Sequence, residues 1–300
     1  MFLLASAGRG EPSDIGGEGM PQLTDDMGKP IVAGKASPRI VSLYAGHTEN
    51  LIAIGARDLI VAIGHEDGGF ELPVPVLGVK PGMEQLAALE PDVVLTRPMM
   101  ARSQGFFYDA LESFGMSVVA LDPPKWDDFG RYIKLLGLVS GIGDEAEKTA
   151  AAIMGETASK TGGKEGLSVF LVTNGRTMAT CTPDSWAARV IETSGFRNAA
   201  RGAVSVAKGS VIAAFGAERL LASDGEIDVV LLQQGAMNTT RAEDFMNDPR
   251  FSSMRAVKNG MIFDVPEEDI SRPSLLRLRG AVRTLRELIS SRGWPNDRGK

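Results

Sequence analysis

Short apolar runs alternate with longer segments of helical spacing along most of this chain. Residues 39–44 read Arg-Ile-Val-Ser-Leu-Tyr, and similar runs occupy residues 59–63, 92–96 and 117–121. Short β-branched apolar runs of this kind predict strands that are buried on both faces. Strands that alternate with helices favour a mostly parallel sheet with helices covering both of its faces.

The middle of the chain lacks strand signals. Residues 126–160 predict helices, with a break at Gly141-Ile-Gly143 and a new helix start capped by Asp144. Strand signals then resume at residues 167–172, 227–232 and 261–264. Other helices are predicted at residues 47–54, 83–89, 104–114, 185–193, 215–222 and 274–290. The pattern therefore predicts an α/β lobe, a helical connector and a second α/β lobe.

These changes of pattern divide the chain into five predicted parts. They are a signal remnant with a flexible leader (residues 1–22), an N-terminal α/β lobe (23–125), connecting helices (126–162), a C-terminal α/β lobe (163–292) and a tail (293–300).

The opening of the chain resembles the end of a secretory signal. Apolar residues lead into Ala-Ser-Ala at residues 5–7, a small-residue pattern typical of a signal cleavage site. Residues 8–19 are rich in Gly, Pro, Ser, Asp and Glu, and such a segment buries little apolar surface. We therefore expect an exported protein, periplasmic or otherwise extracytoplasmic.

One segment of the first half is echoed in the second half. The pattern Glu-x-Leu-x-Ala followed by Asp-Val-Val-Leu begins at Glu84 and begins again at Glu218, with two extra residues in the second turn. Helix-then-strand units are common, so chance similarity is the alternative to a true repeat. We interpret the echo as a structural repeat that relates the two lobes.

The loops that follow the predicted strands carry the candidate binding residues, because ligands of open parallel sheets bind beyond the carboxyl ends of the strands. Arginine forks suit carboxylates and other oxyanions, whereas aromatic rings and methionines suit a large, partly apolar and polarisable body. If the lobes face each other, these loops line one cleft. The candidate ligand-binding residues are Tyr44, His47, Arg97, Met99, Met100, Arg176, Gln233 and Arg272.

Each candidate also has a structural alternative. His47 could donate to a nearby carbonyl at a helix start, and Arg97 and Arg272 could pair with acidic neighbours. Tyr44 and the two methionines could simply pack in the core.

Composition narrows the chemistry. Hydrophobic residues make up 43% of the chain and the formal net charge is −6, which indicates a globular protein without a nucleic-acid footprint. The single cysteine, Cys181, excludes an intrachain disulfide, and with His47 and His65 it gives too few ligands for a structural zinc site. We expect no bound cofactor and no dedicated protein metal site, so that any metal is either held weakly by carboxylates or arrives inside a ligand.

The sequence lacks the common motifs of nucleotide binding and nucleophilic catalysis. No strand is followed by Gly-x-Gly-x-x-Gly, and there is neither a phosphate loop ending in Gly-Lys-Ser/Thr nor a Gly-x-Ser-x-Gly turn. We therefore expect no catalytic residues and no enzyme.

Several short motifs together resemble a known family. The chain resembles the substrate-binding proteins of ABC importers for ferric siderophores, haem and cobalamin over residues 23–291. The motifs are residues 24–29, Pro38-Arg-Ile-Val-Ser-Leu43, Thr48-Glu49, Leu77-Gly78, residues 83–94, residues 191–198 and Ser271-Arg-Pro273.

The resemblance implies two Rossmann-like α/β lobes, each a mostly parallel sheet with flanking helices, joined by a rigid helical backbone. It implies capture of a small-molecule metal chelate between the lobes and delivery to the membrane subunits of an ABC importer. It also implies docking to that permease through one glutamate on each lobe, at Glu84 and Glu218. The alternative for both glutamates is stabilisation of a helix start through the helix dipole.

We expect the ligand to be a ferric siderophore or another iron chelate first, and a corrinoid or haem next. We expect a monomer without a nucleic-acid partner. A small-oxyanion receptor, for an ion such as molybdate, and a two-lobe Rossmann-like enzyme, such as a glycosyltransferase, stay open as alternatives.

Overall fold

The computed structural model describes residues 23–31, 36–65, 72–159 and 166–291, with side chains up to residue 157 in the third range. The predicted leader (1–22) and tail (293–300) lie outside these ranges. Within the described ranges, no helix is both long enough and apolar enough to cross a membrane.

The first half of the chain forms a sheet of five parallel strands, which we call the first lobe together with its helices. The strands are β1 (Ile40–Ser42), β2 (Ile60–Gly64), β3 (Val76–Leu77), β4 (Val93–Thr96) and β5 (Ser117–Ala120). Their spatial order is β3-β2-β1-β4-β5. Strand β1 is buried throughout and pairs with β2 and β4, which explains its continuous apolar run. The sequence predicted every strand of this sheet except the two-residue β3.

Four α-helices among the described residues flank this sheet. They are α1 (Ala45–Ala53), α2 (Met83–Ala87), α3 (Pro98–Ser103) and α4 (Gly105–Ser113). The segment after Arg97, which the sequence pattern placed in a loop, is instead helix α3. Pro98 occupies the first turn of α3, where its missing N–H costs nothing and its fixed φ suits a helix.

Two helices connect the halves of the chain, as predicted. They are α5 (Phe129–Ser140) and α6 (Gly143–Ser159). Gly141 ends α5 in the left-handed conformation (φ 73°), the usual glycine terminator of a helix. A Cβ on Gly137 would lie 2.9 Å from the Cβ of Ala146, so only glycine allows α5 and α6 to approach this closely.

The second half forms a parallel sheet of four strands and a small antiparallel sheet, and we call it the second lobe. The parallel strands are β6 (Ser168–Val172), β8 (Arg197–Asn198), β11 (Val229–Gln234) and β12 (Ile262–Pro266), in the order β12-β11-β6-β8. The antiparallel strands are β7 (Thr180–Cys181), β9 (Val204–Ser205) and β10 (Ile212–Ala214), in the order β7-β10-β9. The antiparallel sheet was not predicted, because its strands are only two or three residues long.

The helices of the second lobe include three that the sequence predicted and three short ones that it did not. The predicted helices are α7 (Trp186–Thr193), α8 (Ala217–Ala222) and α12 (Leu275–Ser291). The short helices are α9 (Ala242–Asn247), α10 (Arg255–Lys258) and α11 (Glu267–Ile270). Ser185 caps α7 by accepting a hydrogen bond from the Ala188 N–H at 3.1 Å.

The two parallel sheets follow one plan, which explains the sequence echo. The order β2-β1-β4-β5 in the first lobe matches β8-β6-β11-β12 in the second. The carboxylate of Asp92 accepts the N–H of Arg39 at 2.7 Å, and the carboxylate of Asp228 accepts the N–H of Ser168 at 2.8 Å. In both lobes, the aspartate of the echoed motif therefore ties its strand to the start of the neighbouring central strand.

A buried ion cluster joins the lobes where α1 packs against α12. Glu49 on α1 has no exposed surface, and its Oε1 accepts hydrogen bonds from Arg272 Nη1 at 2.9 Å and Arg277 Nε at 2.7 Å. Arg277 also pairs with Asp269 at 3.1 Å. We call Glu49, Arg272, Arg277 and Asp269 the Glu49 cluster.

Further contacts reinforce this junction. The Asn50 side chain donates to the Pro273 carbonyl at 2.8 Å and accepts the N–H of Leu275 at 2.9 Å. Trp186 of α7 packs against Trp126 and Phe129, with ring centroids 4.8 Å and 4.9 Å away. A single apolar core extends through both lobes and the connecting helices. The lobes are therefore packed together rather than joined only by a linker.

Replacing Glu49 tests the cluster. In Glu49→Gln, two arginines face a neutral amide in a buried site, and breaking a buried pair in this way costs about 3 kcal/mol of unfolding free energy. Urea denaturation followed by circular dichroism measures this loss. The matched control is Glu156→Gln, which weakens a pair with Arg279 whose side chains are half exposed, at a cost of under about 1 kcal/mol. Equal losses in the two variants would contradict the role of the cluster.

Candidate functional site

A pocket of about 210 Å³ opens at the carboxyl ends of the strands in the first lobe. We call it the first-lobe pocket. This is the end of a parallel sheet at which ligands bind. Its wall consists of Leu43, Tyr44, Gly64, His65, Gly78, Val79, Thr96, Arg97, Met99, Met100 and Tyr108.

A cation–π pair is the central feature of this pocket. The guanidinium carbon of Arg97 lies 5.0 Å from the centroid of the Tyr44 ring, within the range of such an interaction. Among the described residues, no carboxylate forms an ion pair with Arg97, and its buried Nε has no hydrogen-bond partner. The Tyr44 ring therefore holds the guanidinium in place without an ion pair that would neutralise the charge of Arg97. The pocket therefore offers a cation to an anionic group.

The start of α1 fixes the Tyr44 ring. A Cβ on Gly46 would lie 2.5 Å from Cε1 of Tyr44, so the ring occupies the space that any other residue at position 46 would fill. The His47 ring packs against Tyr44 from within the protein, with centroids 5.0 Å apart and planes at 79°. Glycine and histidine at these two positions thus determine where the ring lies.

His47 lies behind the pocket and does not line it. Its side chain is fully buried, with Nδ1 2.8 Å from the Tyr132 hydroxyl and Nε2 3.2 Å from the Thr96 carbonyl. Burial is the main cause that lowers the pKa of His47, to about 4; the charge of Arg97 acts in the same direction, and the Thr96 carbonyl opposes the change. Both ring nitrogens have partners inside the protein, so this conformation does not present the imidazole to the pocket. The sequence analysis had expected His47 to contact the ligand.

The structure also places the second-lobe candidates away from the first-lobe pocket. Gln233 is buried and accepts a hydrogen bond from the Ser271 hydroxyl. Arg272 pairs with Glu49, as expected if it binds an acidic neighbour rather than a ligand. Arg176 is exposed and borders neither the first-lobe pocket nor its counterpart in the second lobe. The predicted residues that the structure brings together are Tyr44, Arg97, Met99 and Met100.

The second lobe has a pocket of its own, of about 500 Å³, which we call the second-lobe pocket. It includes Asn174 from the loop after β6 and Met237 from the loop after β11, and is therefore also at the carboxyl ends of a parallel sheet. Its described lining contains no charged side chain. The lining residues are Asn174, Thr177, Ala179, Val206, Ile212, Ala214, Phe215, Gly216 and Met237.

A polar gap of about 490 Å³ is bordered by both lobes and the connector. Gly209, from the loop between β9 and β10, faces Asp122 and Tyr132 across it. Burial and the charge of Asp26 raise the pKa of Asp122, while the charge of Arg97 opposes this effect. Arg97 follows β4 and Asp122 follows the neighbouring strand β5, so this interlobe gap lies close to the first-lobe pocket.

Glu84 and Glu218 occupy equivalent positions in the two lobes. Each is exposed in the first turn of a short helix, α2 or α8, and each precedes a buried leucine, Leu86 or Leu220, by two residues. The structural repeat therefore displays one solvent-facing carboxylate on each lobe.

The sequence analysis missed several residues of the first-lobe pocket. His65 directly follows β2, and the rule that selected the loops after the other strands would have selected it too. Val79 follows β3, a strand too short to predict. Tyr108 on α4 completes the lining, with its hydroxyl 3.0 Å from the Thr96 hydroxyl.

The residues that the structure describes include no group of three or more His, Cys, Asp and Glu side chains that could hold a metal ion. Tyr44 and His65 in the pocket could each supply a single ligand to a metal that is already chelated.

Comparison with known proteins agrees with the fold. The family model described as "Periplasmic binding protein" matches residues 40–268. A search of curated proteins finds no match. The two-lobe α/β fold predicted from the sequence is confirmed by solved structures.

Three of these structures illustrate the similarity. A possible iron-binding, periplasmic solute-binding protein from Staphylococcus epidermidis is 18% identical, with a TM-score of 0.68 over 84% of this chain and 99% of that chain. The periplasmic heme binding protein HutB of Vibrio cholerae is 18% identical, with a TM-score of 0.67 over 85% and 99%. The periplasmic vitamin B12 binding protein BtuF of Vibrio cholerae is 17% identical, with a TM-score of 0.60 over 86% and 98%.

Identities this low show a shared fold alone, but the family model covers most of the chain and the whole of both parallel sheets. The family consists of extracytoplasmic proteins that bind small-molecule ligands and work with ABC transporters. On the match over residues 40–268, the chain belongs to the periplasmic binding protein family.

Proposed function

We propose that this protein captures a metal chelate between its two lobes and delivers it to an ABC importer. The observation that carries the proposal is the Tyr44–Arg97 pair, which presents a cation at the carboxyl ends of the first sheet. The interlobe gap nearby and the apolar second-lobe pocket support a ligand that contacts both lobes. A cleft between lobes is a usual place for a small-molecule site.

The lining chemistry limits the class of ligand. Arg97 suits a carboxylate or another oxyanion group, whereas Met99, Met100 and Val79 suit an apolar, polarisable surface. The second-lobe pocket adds apolar area without charge. A large, partly apolar chelate with limited negative charge fits this combination. A ferric siderophore or another iron chelate is our first candidate, and a corrinoid or haem is the second.

The metal is cargo in this proposal. The pocket side chains Tyr44 and His65 could add one ligand to an iron or cobalt ion whose other ligands come from the chelator. Structural neighbours whose names state heme and vitamin B12 binding support chelates of this class.

A small-oxyanion receptor is a second candidate, and one observation favours it. The first-lobe pocket is small, and Arg97 keeps a buried Nε–H without a partner among the described residues. A small tetrahedral anion could accept that hydrogen bond without contacting the second lobe.

Titration calorimetry against ferric siderophores, hemin, cobalamin and molybdate separates these candidates. We expect saturable binding of one chelate, without turnover. Arg97→Gln should weaken that binding about 10- to 100-fold, because hydrogen bonds to charged groups contribute about 1.5–3 kcal/mol. The matched control Arg102→Gln removes the same charge from the exposed side of α3 and should leave the affinity unchanged.

The outcomes of this titration are distinct. Binding of molybdate alone would favour the oxyanion receptor. Failure of every compound in the panel to bind, or equal losses in Arg97→Gln and Arg102→Gln, would contradict the chelate receptor.

We also propose that Glu84 and Glu218 contact the permease. Their equivalent, exposed positions on two related lobes suit a membrane partner that has two related basic sites. Long-range attraction between opposite charges would orient the receptor during docking.

Replacing both glutamates tests the docking role. The variant Glu84→Ala, Glu218→Ala should bind ligand with unchanged affinity but bind the reconstituted transporter at least about tenfold more weakly, because it loses interfacial charge pairs. The matched control is Glu147→Ala, Glu226→Ala, which removes two exposed carboxylates elsewhere and should support normal uptake. A loss of ligand affinity in the first variant would assign the glutamates to the ligand site instead.

A further inference from the structure

We propose that His47 is a positioning residue, which holds the Tyr44–Arg97 pair in its binding geometry and ties it to the connecting helix α5. The inference rests on the proposed function, since it concerns the same pocket. It assigns a role to a histidine that does not line the first-lobe pocket and yet contacts Tyr44, Thr96 and Tyr132.

The first contact is with the backbone that directly precedes Arg97. The ring nitrogen Nε2 faces the carbonyl of Thr96, the last residue of β4, at 3.2 Å. Because a carbonyl only accepts hydrogen bonds, Nε2 must carry the proton. The Thr96 carbonyl also accepts the N–H of Leu121 at 2.9 Å, so His47 adds a second hydrogen bond to the peptide group that precedes Arg97. Arg97 then leads into α3 with extended backbone angles (φ −100°, ψ 147°).

The second contact sets the aromatic half of the pair. The His47 ring meets Tyr44 nearly at right angles, an arrangement that aromatic rings favour. Because Gly46 has no Cβ, it leaves room for the Tyr44 ring. One imidazole thus supports both the ring and the backbone that carries the guanidinium.

The third contact reaches the connector. Tyr132 on α5 is buried, and its hydroxyl lies 2.8 Å from Nδ1 of His47. Burial raises the pKa of Tyr132 well above its usual value, so the hydroxyl stays protonated. It therefore donates a hydrogen bond to Nδ1, which carries no proton. Tyr132 also borders the interlobe gap. A continuous series of contacts therefore runs from the first-lobe pocket to the helix that joins the lobes.

Two variants break this series at different points. Tyr132→Phe removes the donor to Nδ1 and retains the ring. His47→Gln places an amide that reaches toward Thr96 but lacks the flat ring that supports Tyr44. Ser140→Ala is the matched control, because it also removes a buried hydroxyl hydrogen bond from α5, to the Leu136 carbonyl at 2.6 Å, without contacting His47.

The first readout needs no ligand. In NMR spectra of the free protein, protons of the Arg97 side chain should be shifted by the ring current of Tyr44. We expect this shift to shrink in Tyr132→Phe and in His47→Gln and to persist in Ser140→Ala. An unchanged Arg97 shift in both test variants would overturn the positioning role, whatever the ligand proves to be.

Acid titration provides a second ligand-free readout. The charges that act on His47 are those of Arg97, which lowers its pKa, and Asp26, which raises it. Burial raises the pKa of Tyr132, which therefore faces the ring as a neutral hydroxyl. At pH values between the unfolded pKa of 6.5 and the folded pKa of about 4, His47 is protonated in the unfolded chain but not in the folded chain. As the pH falls through this range, the folding equilibrium constant should decrease on the order of a hundredfold more in the wild type than in His47→Gln. Equal pH dependence in the two proteins would contradict a buried, neutral His47.

The third readout is affinity for hemin and for a ferric trihydroxamate. Each single variant should weaken binding of the probe that the wild type binds by about tenfold, and the double variant should lose little more, because the two residues act as one unit. Ser140→Ala should stay within about twofold. Fully additive losses would overturn the coupling. If the wild type binds neither probe, the proposed function fails for these chelates, and the two ligand-free readouts still decide the role of His47.

Discussion

The carboxylate of Glu49 has no exposed surface and faces Arg272 and Arg277, so the two halves of the molecule are joined by charges that neither half can leave unpaired. Burying a charge is costly, and the cost is offset only while its partners stay in place. The arrangement favours one relative position of the lobes. Asn50 and the shared apolar core act in the same direction. We therefore expect the gap between the lobes to keep a nearly fixed width.

Within that frame, the same sheet plan is used twice, and each copy delivers a pocket at the carboxyl ends of its strands. The copies differ in chemistry. The first carries the Tyr44–Arg97 pair, which supplies charge and an aromatic face. The second is lined by uncharged side chains and adds apolar area. A ligand that contacts both would be recognised by one anionic group and by its apolar surface.

The sequence predicted the elements of this fold far better than the residues of the site. Buried parallel strands leave continuous apolar runs, and Gly141 marks the helix break, so strands and connector are visible locally. The site depends on tertiary contacts. His47 and Arg272 have the residue types of ligand contacts, but one is enclosed by Tyr132 and the other is bound to Glu49. Whether such a side chain faces a ligand depends on partners distant in the chain, and no local sequence pattern identifies those partners.

The most direct test of the account is a crystal structure of the protein with the chelate that copurifies or binds most tightly. The account predicts the ligand between the lobes, with an anionic group on Arg97 beside Tyr44 and an apolar face toward the second-lobe pocket. It also predicts that the Glu49 cluster stays intact in the complex. A ligand bound outside the cleft, or one that contacts neither Arg97 nor Tyr44, would contradict it.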